Sequence, residues 1–145
     1  QLGRTARRRV RVIAELTTEA LRRCEPNIAA FRSAQAAHPA MKGRFSLHVY
    51  ARQGGIVRAR MFAPLAGTWE DPATGSANAP LVGLLLSLSN RDQLRLEVYQ
   101  GVEMGRASLL LVEARRSAGE IRATVAGRCV PMFKGSIELT KEDGH

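Results

Sequence analysis

Aromatic residues make up only 5% of the 145 positions, and the chain has two cysteines and three lysines. Each scarcity excludes something. Few aromatics leave little surface on which bases could stack, which argues against a single-stranded nucleic-acid groove. Cys24 and Cys129 are far apart, with no CxxC and no neighbouring His. That spacing argues against a zinc site or a disulfide framework. Both read as reduced, partly buried thiols of an intracellular protein. No apolar run reaches the ~18 residues needed to span a bilayer, so no membrane partner is expected. No secretory leader is visible, and the cytoplasm is the expected location. An initiator Met is also missing. The chain opens on Gln1, which points to a segment upstream.

What is present is arginine. Nineteen Arg and three Lys face 13 acidic residues, for a formal charge of +9. Arg4, Arg7, Arg8, Arg9 and Arg11 form one cluster, and the rest are scattered among acidic residues. A nucleic-acid partner would use a continuous basic surface, so the cluster reads more simply as a solvated lead-in or linker over residues 1–9. Apolar content of 45% suits one globular domain, expected over residues 10–139, with a polar tail at 140–145.

The periodicity predicts a mixed α+β chain. Val10, Val12 and Ala14 alternate with charged and apolar neighbours as a short strand. Thr17 or Thr18 can cap a helix, and Pro26 splits the following helical pattern into two short helices. Phe45, Leu47, Val49 and Ala51 alternate with Ser46, His48, Tyr50 and Arg52, predicting a strand with one buried face and a solvent-facing His48. Gln53-Gly54-Gly55 turns it into a second strand, Ile56–Phe62, closed by Pro64. The run Leu81–Leu88 is apolar nearly all round, so a helix there should be buried on every side. Strands are expected at Leu94–Gln100, Ser108–Arg115, Ile121–Val130 and Met132–Leu139. The economical arrangement is a β-barrel-like sheet wrapped around that central helix.

Between the hairpin and the apolar helix lies Glu70–Asn78, EDPATGSAN. Pro72 holds Asp71 extended and so aims its carboxylate. Thr74, Ser76 and Asn78 are all good helix caps. Pro80 is best tolerated in a first turn, which favours capping by Asn78 over Ser76. The amides around Thr74–Asn78 then lie at a helix start, where the backbone and the helix dipole offer a site for a carboxylate or phosphate. Asp71 beside it could move a proton to or from a carbon next to that carboxylate. A plain loop-to-helix cap accounts for the same spacing, and both readings stand at this point.

EDPATGSAN, preceded by Arg60-Met61-Phe62-Ala63-Pro64, resembles the signature of the phenazine-biosynthesis-like (PhzF-type) isomerase and epimerase family. Gln100-Gly101-Val102-Glu103-Met104-Gly105-Arg106-Ala107-Ser108 resembles its QGxxMGRPS segment, with Ala107 in place of Pro. Val125-Ala126-Gly127-Arg128-Cys129-Val130 and Gly135 fit its closing pattern. The resemblance covers roughly residues 10–139 and corresponds to the C-terminal half of such proteins. It implies a diaminopimelate-epimerase-like half and cofactor-independent proton transfer on a small carboxylated substrate. It places the catalytic aspartate at Asp71 and substrate-binding groups at Thr74, Gly75 and Ser76. It implies no cofactor and no metal. The family's second catalytic carboxylate, a glutamate followed by Gly-His in the other half, has no counterpart here. That half is therefore expected in cis or as a separate chain, the isolated chain is expected to be inactive, and the apolar face it would cover is expected to drive homo-oligomerisation. A non-catalytic small-anion-binding or assembly domain is the alternative.

Other residues admit plainer roles. Ser76 lacks the flanking glycines of GxSxG. Gly101–Gly105 lacks the GK[ST] of a P-loop. Arg106 could pair with a substrate carboxylate or simply be solvated. Trp69 could wall a pocket or only pack.

Overall fold

The computed structural model describes residues 12–41 and 45–137. The expected lead-in at 1–9 and tail at 140–145 lie outside them. The first strand, β1 (Val12–Glu15), leads into α1 (Thr18–Arg23) and α2 (Ile28–Ala37). Thr17 caps α1, its hydroxyl accepting from the Ala20 amide at 3.2 Å. Asn27 caps α2, accepting from Ala30 at 3.0 Å, so the split at Pro26 is real. β2 (Leu47–Gln53) returns parallel to β1. It then turns through Gly54-Gly55 into antiparallel β3 (Ile56–Ala63). Both glycines have positive φ, +55° and +91°. That is the geometry a two-residue hairpin of this hand requires.

A short strand that the alternation did not predict follows, β4 (Thr68–Asp71), antiparallel to β3. Then come α3 (Gly75–Ser87), β5 (Gln93–Gln100), β6 (Ser108–Ser117) and β7 (Glu120–Gly127). The strand order is β1-β2-β3-β5-β6-β7, with β4 beside β3, and the sheet curls as a half barrel.

Two apolar clusters lie on opposite faces of this sheet. One joins α3 (Leu81, Val82, Leu86) to Tyr50, Val57, Ala59, Val98, Leu110, Val112 and Ala114. The other joins α1 and α2 (Leu21, Phe31) to Phe45, Val49, Ala51 and Phe62. The central strands β2 and β3 are therefore covered on both sides. That overturns the single buried face expected for β2. His48, expected to face solvent, is fully buried, and Ser46 and Tyr50 are buried with it.

Further expectations are corrected. α3 is covered by β5, β6 and β7 rather than on every side. Ser76, Pro80, Leu84, Ser87 and Leu88 form its exposed face. The helix also starts earlier than its proline suggested. Thr74 is the cap residue, its carbonyl accepting from the Ala77 and Asn78 amides at 3.1 Å each, so Pro80 lies inside the helix. Pro80 is tolerated because it stands on the exposed face of the helix. Last, residues 132–137 of the expected final strand pair with no strand, and Met132, Phe133 and Ile137 are exposed. An extended segment is a strand only when a neighbour supplies its ladder, and none among the described residues does. Positions 138 and 139 lie outside them. Cys129 is likewise exposed rather than partly buried, whereas Cys24 is intermediate as expected.

Candidate functional site

The site is built where two strands meet end to end. β3 is paired on one side with β2 from Ile56 to Phe62. On its other side β5 runs parallel to it and ends with Gln100 opposite Ala59, while β4 runs antiparallel and ends with Asp71 opposite Met61. The two strand ends therefore converge on one edge, two residues apart along β3. From one end the chain enters α3. From the other it enters the 101–107 turn. The first and second motifs of the sequence, distant in the chain, are thus brought together by sheet pairing.

Asp71 is held by its own loop. Its Oδ1 accepts from the Ala73 amide at 3.2 Å, and its Oδ2 accepts from the Thr74 hydroxyl at 2.7 Å. Pro72 between them restricts the backbone that makes this turn. The carboxylate is partly exposed. Thr74 is buried, and its hydroxyl does not cap α3. Gly75 and Ser76 occupy the first two helical positions, where a helix offers its amides no acceptor of its own. The four residues expected at the site, Asp71, Thr74, Gly75 and Ser76, are contiguous and lie at one helix start.

Sequence reasoning missed the group that organises them. Gln100 is fully buried and bridges both motifs. Its amide nitrogen donates to the Asp71 carbonyl at 2.6 Å and to the Thr74 hydroxyl oxygen at 2.9 Å. Its oxygen accepts from Asn78 Nδ2 at 2.8 Å and from the Thr74 amide at 3.3 Å. Asn78, also fully buried, donates in addition to the Thr74 carbonyl at 3.0 Å. The only signal in the sequence was that Gln100 opens the second motif. Gly101 follows with φ +75°, and a Cβ built there would stand 2.4 Å from the Arg106 carbonyl oxygen and 2.9 Å from Pro72 Cα. Only glycine lets the 101–106 turn close, through Arg106 N–H to Gly101 O at 2.8 Å, against the Asp71-Pro72 loop.

Two neighbouring carboxylates are already committed. Glu70 forms a bidentate pair with Arg60, at 2.9 and 2.8 Å, and both side chains are buried. Arg60 also donates to the carbonyls of Leu21 and Cys24, tying the end of α1 to β3 and β4. The hydrogen bond to Glu70 raises the Arg60 pKa against the opposing effect of burial, so the cation is secure. Glu103 pairs with Arg58 at 2.6 Å. Among the described residues near the α3 start, Asp71 is thus the carboxylate that is not in an ion pair. Arg106 is exposed and makes no side-chain hydrogen bond or ion pair among the described residues. Trp69, on β4, is 54% exposed and packs into no core. His48 lies in the same cross-strand row as Met61 and Asp71 and is fully buried. No group of three or more His, Cys, Asp or Glu among the described residues could hold a metal ion.

The architecture is shared with solved proteins. A phenazine biosynthesis protein of the PhzF family from Bacillus anthracis matches with a TM-score of 0.66 over 79% of this chain and 41% of that one. At 22% identity the likeness is one of fold. A predicted epimerase from Pseudomonas aeruginosa matches at 0.51 over 78% of this chain and 36% of that one, with 16% identity. In sequence, residues 1–135 match the family described as phenazine biosynthesis-like protein, and the chain belongs to that family. It is 36% identical over 121 residues to a trans-2,3-dihydro-3-hydroxyanthranilate isomerase of Pseudomonas chlororaphis, covering 79% of this chain and 42% of the relative. It is 38% identical over 101 residues to an uncharacterized isomerase of Deinococcus radiodurans, covering 66% and 32%. The chain spans less than half the length of these relatives.

Proposed function

We propose that this chain is the C-terminal, diaminopimelate-epimerase-like half of an isomerase or epimerase that moves a proton on a small carboxylated substrate without a cofactor. Asp71 is the general acid/base. The amides of Gly75 and Ser76 anchor the substrate carboxylate at the α3 N-terminus, where backbone donors and the helix dipole favour negative charge, while the Thr74 amide is held by the Gln100 side-chain oxygen. The anchored group sets a neighbouring carbon against Asp71. A C–H bond there breaks with its electrons left on carbon, and the proton forms an O–H bond on the carboxylate. Return of a proton to the same or another carbon completes an epimerisation or isomerisation. The observation that carries this reading is the placement of an oriented, unpaired carboxylate beside a helix start. Membership of a family whose named relatives are isomerases supports it.

A second reading, a non-catalytic small-anion-binding or assembly domain, draws on the same neighbourhood. Glu70 and Glu103 are tied to arginines, so no second proton-transfer carboxylate stands beside Asp71 among the described residues. Both readings require the anion site. Titrating the 15N-labelled chain with acetate and benzoate should shift the Gly75 and Ser76 amides first, with saturation. Uniform small shifts, or none, would remove the anchor on which both depend.

A further inference from the structure

We infer that Gln100 is a positioning residue for Asp71: through the Thr74 hydroxyl it fixes Oδ2 as the oxygen that is held and leaves Oδ1 as the oxygen that takes and gives the proton. The inference rests on the proton-transfer role proposed for Asp71. Its ground is the direction of each hydrogen bond. The Gln100 amide can sit only one way round. Its oxygen faces two groups that only donate, Asn78 Nδ2 at 2.8 Å and the Thr74 amide at 3.3 Å. A reversed amide would set N–H against N–H at both contacts. Asn78 is fixed in the same way, since its nitrogen also faces the Thr74 carbonyl at 3.0 Å.

The Gln100 nitrogen must then point at the Asp71 carbonyl and at Thr74 Oγ1, with one hydrogen for each. Thr74 Oγ1 therefore accepts from Gln100. Its single hydrogen is left for Asp71 Oδ2, 2.7 Å away. A hydroxyl bonded to a carboxylate is among the stronger hydrogen bonds. Oδ1 receives only the longer 3.2 Å bond from the Ala73 amide. A proton placed on Oδ2 would make it a poorer acceptor for the Thr74 hydroxyl, which donates no other hydrogen bond among the described residues. A proton on Oδ1 disturbs nothing of the kind. All four side chains take part in one directional chain that runs from Asn78 through Gln100 and Thr74 to Asp71. Three of them, Thr74, Asn78 and Gln100, are buried, so water does not scramble it.

The test needs no activity. In a 13C-labelled chain in mixed H2O and D2O, the Asp71 carboxyl carbon should show two resonances, one for each isotope of a slowly exchanging Thr74 hydroxyl. The splitting should persist in Thr74→Ser and vanish in Thr74→Val and Gln100→Leu, each checked for folding by its amide fingerprint. In the wild type itself, both Gln100 side-chain amide protons should resist solvent exchange. A single Asp71 resonance in the wild type, an unchanged splitting in folded Gln100→Leu, or Gln100 protons exchanging as in free glutamine would each overturn the proposal. The isotope splitting reads the hydrogen-bond direction even if the chain turns nothing over, so failure of the catalytic reading is seen separately. Where turnover is measured, Gln100→Leu should lower kcat by about tenfold or more with KM little changed. An unaltered kcat would also overturn it.

Discussion

At the scale of single residues, the site depends on groups chosen for shape as much as for charge. Gly101 is the sharpest case. A side chain there would need a left-handed backbone and would strike the Arg106 carbonyl and Pro72. The backbone cost alone is roughly 1–2 kcal/mol, and the contact with main-chain atoms adds to it. Gly101→Ala should therefore lower the urea midpoint by more than a surface Gly→Ala change would, and should increase hydrogen exchange at Ala73 and Thr74. A stability within about 0.5 kcal/mol of wild type, the range of an ordinary surface substitution, would show that the turn and the Asp71-Pro72 loop are not in the contact described.

At the scale of elements, the β1 edge carries a pH dependence that can be signed. Glu15 takes a two-point bond from Arg52, at 2.7 and 3.0 Å, and one from the Tyr50 hydroxyl at 2.9 Å. The Arg52 hydrogen bond, against some opposing desolvation, holds the Glu15 carboxyl below its ordinary value of 4.5. That contribution to stability is present above 4.5 and is lost as pH falls through the folded value. Burial, followed by the bond to Glu15, pushes Tyr50 above 10.0. Its contribution is present below 10.0 and is lost as pH rises through the folded value. Both carboxylate and guanidinium are substantially exposed, so the effect is small. Glu15→Gln should flatten the acid limb of a plot of unfolding midpoint against pH. An acid limb identical to wild type would place the titrating group elsewhere.

The elements also show what could be read in advance. The helix break at Pro26, the Gly54-Gly55 hairpin and the strands at 93–117 follow local rules of cap, turn and alternation. Those rules report one strand or one turn at a time. They missed the burial of His48 because β2 contributes to an apolar cluster on each face of the sheet, a fact about neighbours distant in sequence. They missed β4 because four residues reading Thr-Trp-Glu-Asp carry no apolar period and are a strand only through β3. Pro80 misled the placement of the α3 start, because its tolerance depends on which face of the helix is open. At the site, Asp71 and Thr74–Ser76 were legible as a run. Gln100 was not, since the hydrogen bonds that define its role cross from β5 to a loop 26 residues earlier in the chain.

At the scale of the molecule, apolar surface is left uncovered. Leu84 and Leu88 on α3 stand 41% and 77% exposed, and Phe133 is 98% exposed. A chain bearing such side chains on one helix face and one extended segment is expected to self-associate. Sedimentation velocity should show oligomers that shrink in the double variant Leu88→Ser, Phe133→Ser, with secondary structure retained. A strictly monomeric wild type at high concentration would contradict this. The same scale bears on catalysis. With the nearby Glu70 and Glu103 engaged by arginines, the proton transfer proposed for this site would turn on Asp71. The most direct measurement is solvent-deuterium incorporation into the small carboxylated substrate proposed for the intact protein. It should be followed in D2O with the intact protein of which this chain is the proposed C-terminal half, since the isolated chain is expected to be inactive. The wild type should incorporate deuterium, and Asp71→Asn, with its fold intact, should not. Incorporation by Asp71→Asn at the wild-type rate would contradict the role assigned to Asp71.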